Sequence, residues 1–390
     1  MTCETAIANT YNRFPVTLVK GLGCRVWDDA GREYLDFAAG IAVSSLGHCH
    51  PRVVEAAKAQ LEALMHVSNL YWTRPQIELA KRLTSRSFAE QVFFCNSGAE
   101  AIEAAIKLAR HRGHDIKGSD CYEIICLEGA FHGRTLAAVA ATGQPVYQRG
   151  FEPLPNGFLH VPPDNIKALR LAAGTRTAAI LIEPIQGEAG VRPISDEFLK
   201  EARRLCDEHQ ALLIFDEVQV GLGRTGTLFA YEQTDVTPDV LCLAKALGGG
   251  LPIGAMLAKK EVMTHLPPGS HASTFGGNPV SCAAAAAVLD VMTETGFLEK
   301  VRKTGAYMAD GLNRLKVAYP DKIRETRGRG LIQAVEFAAP APDLSLKLLE
   351  DGFLTILSHG DTLRLVPPLI VETTEVDALL DCLKGRIAAL

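Results

Sequence analysis

Apolar and polar residues alternate over residues 24–37 (CRVWDDAGREYLDF) on either side of Asp29-Ala30-Gly31, which predicts a β-hairpin and with it a small N-terminal sheet. Past Pro51 the period changes. The segment PRVVEAAKAQLEALM repeats its apolar positions every three or four residues, as a helix with one buried face does. Short apolar runs then alternate with amphipathic stretches: QVFFC, GAEAIEAAIKLARHR, EIICLE, AAILIEPI, DEFLKEARRLCDEHQ, ALLIFDEV and DVLCLAK. Strand and helix in that rhythm predict a mostly parallel sheet with helices on its faces. The segment NPVSCAAAAAVLDVMTETG, with alanine at 283–287, reads as a closely packed helix. Beyond it, a helix over residues 297–319 and the short strands LIQAVEF, FLTILS and TLRLVPP predict a second, smaller α/β lobe. The expected division is 1–55 as the N-terminal part of the small domain, 56–285 as the large domain and 286–390 as the C-terminal small domain.

Composition narrows the class. A chain of 390 residues can bury a substantial core as one two-lobed subunit. With 47% hydrophobic and 22% charged residues it has the balance of an ordinary globular protein, and a net charge of -5 offers no basic footprint for nucleic acid or a membrane surface. Residues 1–10 lack a basic segment followed by an apolar run, and no charge-free stretch has spanning length, so a soluble cytoplasmic protein is expected. Ten cysteines stand singly, several inside apolar runs (Cys126, Cys242), as buried free thiols of a reducing compartment do. His48-Cys49-His50 lacks a second ligand pair at metal-site spacing and reads as a loop; no metal is expected.

Three segments carry candidate chemistry. In FFCNSGAEAIEAAIKLAR a strand ends at Asn96-Ser97 and Gly98 opens a helix, whose free amides and positive dipole end suit a phosphate; a plain Ser-capped helix is the alternative. In ALLIFDEVQVGLGRTG an apolar strand ends in Asp216 and Glu217, where ligands bind in open α/β sheets. Its continuation, Gly221 to Gly226, fits G-x-G-x-x-G, but the glycines do not follow the strand directly and TLFAYEQ is a weak phosphate-binding helix. In DVLCLAKALGGGLPIGAML the lone Lys245 ends an apolar run. Such surroundings depress a lysine pKa and make the amine a nucleophile, although a solitary lysine is more commonly a surface group.

Taken in order, NSGAEA, FHGRT, EPIQGEAG, IFDEVQVGLGRTG, LAKALGGGLPIGA, STFGGNP and LRLVPPL resemble the class III aminotransferases of pyridoxal-phosphate fold type I, along essentially the whole chain. The resemblance implies a large domain with a mostly parallel sheet flanked by helices, a smaller α/β domain, pyridoxal 5′-phosphate as cofactor and a homodimer with shared active sites. Lys245 would hold the cofactor and shuttle a proton, and Asp216 would pair with its ring nitrogen. Val218 would press on one ring face and Phe131 on the other, with Gln219 near the ring hydroxyl and Glu217 also among the cofactor-binding residues, although strand alternation turns it away. Ser97, Gly98 and Ala99 would hold the phosphate, completed by Thr274 of the neighbouring subunit; Ala99 stands where Thr is frequent in the class. Arg134 and Arg364 would bind substrate carboxylates, Glu188 would gate Arg364, and Ser273 and Ile41 would meet an acylated donor. The implied reaction moves the distal amine of N-acetylornithine to 2-oxoglutarate, in arginine synthesis. Succinyldiaminopimelate, succinylornithine, ornithine or 4-aminobutyrate as donors, and a non-transaminating reaction on the same scaffold, stay open.

Overall fold

The computed structural model describes residues 6–390; residues 1–5, with Cys3 and the first half of the stretch read above as leader-free, lie outside the described residues. The predicted hairpin is present. Strands β1 (Leu18–Leu22), β2 (Arg25–Asp28) and β3 (Glu33–Asp36) form an antiparallel meander with Val26 opposite Tyr34. Asp28 fixes the turn, its Oδ1 accepting from the amides of Ala30 (3.0 Å) and Arg32 (2.8 Å).

Seven strands build the central sheet: β4 (Gln91–Cys95), β5 (Glu123–Leu127), β6 (Phe158–Val161), β7 (Thr177–Ile182), and, beyond the small hairpin β8 (Ile185–Gln186) and β9 (Arg192–Pro193), β10 (Leu212–Asp216), β11 (Val240–Leu243) and β12 (Gly254–Ala258). Their order is β4-β12-β11-β10-β7-β5-β6, and β12 alone runs against the rest. Alternate residues serve opposite faces. Ile214, Cys242 and Leu181 meet the helix Gly98–Lys117, while Leu213, Phe215, Leu241 and Ile180 join the core that holds the helices Asp196–Glu208 and Pro279–Met292. Both faces are covered, which is why these strands read as unbroken apolar runs.

The remaining strands, β13 (Ile323–Arg329), β14 (Ile332–Phe337), β15 (Phe353–Leu354), β16 (Ile356–Ser358) and β17 (Thr362–Leu365), divide between two sheets. The order β13-β14-β17-β16 makes a separate sheet, and β15 adds in parallel to β3, so the chain's two ends share the N-terminal sheet. The division expected at 285 falls inside the helix Pro279–Met292, which runs unbroken through that point. Among the described residues no single helix is long and apolar enough to cross a membrane; this apolar helix meets Phe297–Ala318 at a 72° bend and packs on the helices Pro51–Ala63 and Arg74–Thr84.

Candidate active site

Five loops leave the carboxyl ends of the parallel strands β4, β5, β7, β10 and β11 and converge on one cavity of about 320 Å³. They deliver Ser97, Gly98 and Ala99; Phe131 and His132; Glu183 and Glu188; Asp216, Val218 and Gln219; and Lys245. This is the edge at which ligands of open α/β sheets bind. Lys245 lies two residues past β11, at the start of a single 3₁₀ turn, with a φ of 42°. Burial pulls its amine down to about 8; Arg364 pushes the same way, and Glu188, Asp216 and Glu183 oppose it only in part.

Asp216 ends β10 and is 4% exposed. Its Oδ2 lies 2.8 Å from His132 Nδ1, and its Oδ1 accepts from the Val218 amide at 3.0 Å. Beyond them Glu183 Oε2 and His132 Nε2 are buried without any protein partner. Burial, reinforced by the Asp216 carboxylate, raises the Glu183 carboxyl well above the usual range. His132, Glu183 and Asp216 are the one trio of metal-ligand-type side chains grouped this closely among the described residues. Neither His132 nor Glu183 was assigned a role from the sequence, although both lie in quoted motifs, FHGRT and EPIQGEAG.

Opposite Lys245, Ser97 caps the helix Gly98–Lys117 by accepting from the Glu100 amide at 3.2 Å, leaving the Gly98 and Ala99 amides without helical partners. A Cβ on Gly98 would stand 2.7 Å from Val218 Cγ1, so only glycine lets the helix start and the Asp216 turn approach this closely. Arg364, 1% exposed on β17, donates to Glu188 Oε1 (2.7 Å) and Gln219 Oε1 (3.3 Å). Burial alone would raise the Glu188 carboxyl, but the Arg364 guanidinium holds it below its usual range.

Other expected residues lie elsewhere. Glu217 points away from the cavity and accepts from the amides of Ala230 (2.6 Å) and Tyr231 (2.7 Å); burial, against those two bonds, lifts it to about 8. β10 stops at Asp216, so Val218 and Gln219 reach the cavity from a turn and not by strand alternation. Arg134 is exposed, its guanidinium 4.0 Å from the Tyr147 ring centroid and 5.4 Å from that of Phe131. Ser273 and Thr274 line a separate hollow with His271 and Phe275, linked to the cavity by the Asn96 Nδ2 bond to Ser273 Oγ (3.2 Å). Ile41 is 48% exposed at a φ of 62°, and Val43 takes the place on the cavity wall.

The Gly221 to Gly226 segment makes no phosphate loop. The first helix after it is the one-turn Ala230–Gln233, and Arg224 anchors the segment within the fold, donating to Leu331 O (2.9 Å), Pro367 O (2.5 Å) and Ser45 Oγ (3.2 Å). His48 of the His-Cys-His loop pairs with Asp36 at 2.7 Å.

Known proteins match over the same span. A family profile described as aminotransferase class-III matches residues 6–387. An acetylornithine aminotransferase of Caldanaerobacter subterraneus subsp. tengcongensis is 51% identical over 98% of both chains. The solved ornithine aminotransferase of Toxoplasma gondii ME49 superposes with a TM-score of 0.94 at 36% identity, over 98% of this chain and 93% of that one. The N-acetylornithine aminotransferase of Stenotrophomonas maltophilia K279a superposes at 0.83 with 39% identity, over 97% of each.

Proposed function

The chain belongs to the class III aminotransferases, and from that premise we propose that it moves the distal amine of N-acetylornithine to 2-oxoglutarate, giving N-acetylglutamate semialdehyde and glutamate, a step of arginine synthesis. The observation that carries the reading is the meeting of Lys245, Asp216 and the amide-bearing start of a 20-residue helix in one cavity. These residues fit pyridoxal 5′-phosphate: an amine in a dry setting, a carboxylate at the end of the neighbouring strand, unpaired amides for a phosphate, and two buried polar atoms that no protein group satisfies. When bound, the cofactor supplies the carbon that receives the amine and a ring that delocalises the electron pair released with the substrate proton.

The chain's own groups do the rest. Lys245 Nζ, its pKa lowered to about 8, is neutral in about a tenth of molecules at pH 7 and would take and return the proton at the amine-bearing carbon. Asp216, oriented by His132 Nδ1 and the Val218 amide, would face the ring nitrogen and favour its protonated form. Gly98, Ala99 and Ser97 would bind the phosphate, Val218 and Phe131 would hold the ring between them, and Gln219 would meet its hydroxyl. Glu217 serves the Ala230–Gln233 turn instead.

Arg364 binds the α-carboxylate of glutamate, and Glu188 silences it when the amine donor is bound. Arg134 takes a second carboxylate, with Ser273 and Ile41 toward the acyl group. Thr274 and Ser273 lie outside this chain's own cavity, and Leu70, Tyr71, Trp72 and Phe275 are exposed beside them. A homodimer that exchanges this region across its interface completes each site. The nine described cysteines are all free, which supports a cytoplasmic setting. The proposed domain division keeps 1–55 as the first small-domain part but moves the second boundary from the expected 285, which lies inside the helix Pro279–Met292, to the bend after Met292.

The test is steady-state glutamate formation from 2-oxoglutarate with N-acetylornithine, ornithine, succinylornithine, succinyldiaminopimelate and 4-aminobutyrate in turn. The acetylated donor is expected to give the largest kcat/KM and Lys245→Ala to abolish turnover. A higher kcat/KM with ornithine, the substrate named for the Toxoplasma enzyme, would overturn the donor assignment.

A further inference from the structure

Glu188 sits in the loop of a two-stranded hairpin. β8 and β9 pair Gln186 with Arg192, and residues 187–191 close the turn between them. That loop carries strain at Val191, β-branched and fully buried, with a φ of 57°; Gly190 before it takes a φ of 89°, which glycine adopts freely. Strain of this kind persists only where the surroundings over-determine the backbone. Here they do so at three consecutive carbonyls. His359 Nε2 donates to Glu188 O (3.0 Å), Arg192 Nε to Ala189 O (3.1 Å) and Arg327 Nε to Gly190 O (2.7 Å).

The anchors are themselves tied down. Arg192 and Arg327 both donate to Glu336 Oε2, at 3.1 Å and 2.7 Å, and Arg324 donates to Oε1 at 2.8 Å. Glu336 is 6% exposed on β14 and faces these arginines, which hold its carboxyl below the usual range against the effect of burial. Arg327 also fills the space over Gly190, where a Cβ would stand 2.9 Å from its Nη2. His359 keeps a φ of 54° while reaching the loop.

Resting on the gating role given to Glu188 above, we propose that the gate moves by its side chain alone, because His359, Arg192 and Arg327, the two arginines braced on Glu336, pin its backbone; these are positioning residues for the choice of amino donor. A pinned backbone returns the Glu188 carboxylate to Arg364 after each glutamate half-reaction. A loosened one leaves Arg364 exposed more of the time, which favours glutamate and penalises the donor that needs Arg364 covered.

The experiment compares single half-reaction rates with N-acetylornithine and with glutamate in the holoenzymes of wild type, Arg192→Gln, His359→Asn, the double variant and Glu188→Ala. Arg192 is half exposed and His359 exposed, and Asn tolerates a positive φ, so the fold is retained. The double variant is expected to keep its cofactor absorbance and lower the acetylornithine-to-glutamate rate ratio by about five- to tenfold, the scale of one ordinary hydrogen bond, because the Arg327 contact remains. Arg192→Lys, which retains a cation, should recover part of it. An unchanged ratio where Glu188→Ala shifts it overturns the pinning and leaves the gate standing. Equal slowing with both donors also overturns it, since that is a general structural defect. A Glu188→Ala enzyme with an unchanged ratio overturns the gate itself and this inference with it.

Discussion

Lys245 combines a polar terminus with a dry, crowded setting, and its chemistry should follow pH accordingly. A lowered amine pKa makes the neutral, nucleophilic form grow as pH rises through about 8. Capture of added pyridoxal phosphate by the apoprotein should therefore accelerate from pH 6 toward about 8 and level off above it, followed by stopped-flow absorbance. A profile still climbing steeply at pH 10 would mean an unshifted amine. Burial of the charged form also costs stability at low pH: the unfolded chain binds more protons between about 8 and the ordinary lysine value of 10.5, so apoprotein stability gains from this group as pH rises through that window. At this scale the sequence exposed Lys245 and Asp216 because their types and their company in the motifs are unusual. It left Glu183 and His132 without roles, since what distinguishes them is one buried polar atom each, Glu183 Oε2 and His132 Nε2, without a partner, a property of three-dimensional neighbours.

The helix Gly98–Lys117 and the turn after β10 meet at a contact that only a missing side chain permits. Gly98→Ala would place a methyl 2.7 Å from Val218 Cγ1, forcing one of them away from the cavity. We expect cofactor affinity to fall about tenfold, or about 1.4 kcal/mol, with little change in thermal midpoint; titration of the apoprotein measures it, and unaltered affinity would refute the close fit. The loop from Gly221 to Gly226 gives a second case. Arg224→Met leaves three buried acceptors unpaired, on Ser45, Leu331 and Pro367, and should cost about 2–4 kcal/mol in urea unfolding. A cost under about 0.5 kcal/mol would show that the anchor is not needed. Apolar runs such as LLIFD and VLCL announced the strands because both of their faces are covered. β12, rich in small residues and antiparallel, carried no such signal, and the G-x-G-x-x-G pattern, discounted from its spacing, records only tight turns, not what packs on them.

At the scale of the whole molecule, the proposed dimer implies that one chain does not finish its own site. Ser273 and Thr274 face a hollow apart from Lys245, beside exposed Trp72 (86%) and Leu70 (82%). Sedimentation equilibrium should give twice the chain mass of 42.0 kDa, and Trp72→Asp should shift the protein toward monomer and lose activity in proportion; a fully active monomer would contradict the shared site. The central claim, that one cavity runs two amine-transfer half-reactions on Lys245, is tested most directly by a single turnover. Holoenzyme is mixed with N-acetylornithine in the absence of any keto acid while the cofactor's visible absorbance is followed. The account predicts that the band disappears and that 2-oxoglutarate restores it. A band that stays unmoved would contradict the donor, and a protein that acquires no band even with excess pyridoxal phosphate would contradict the role of Lys245 itself.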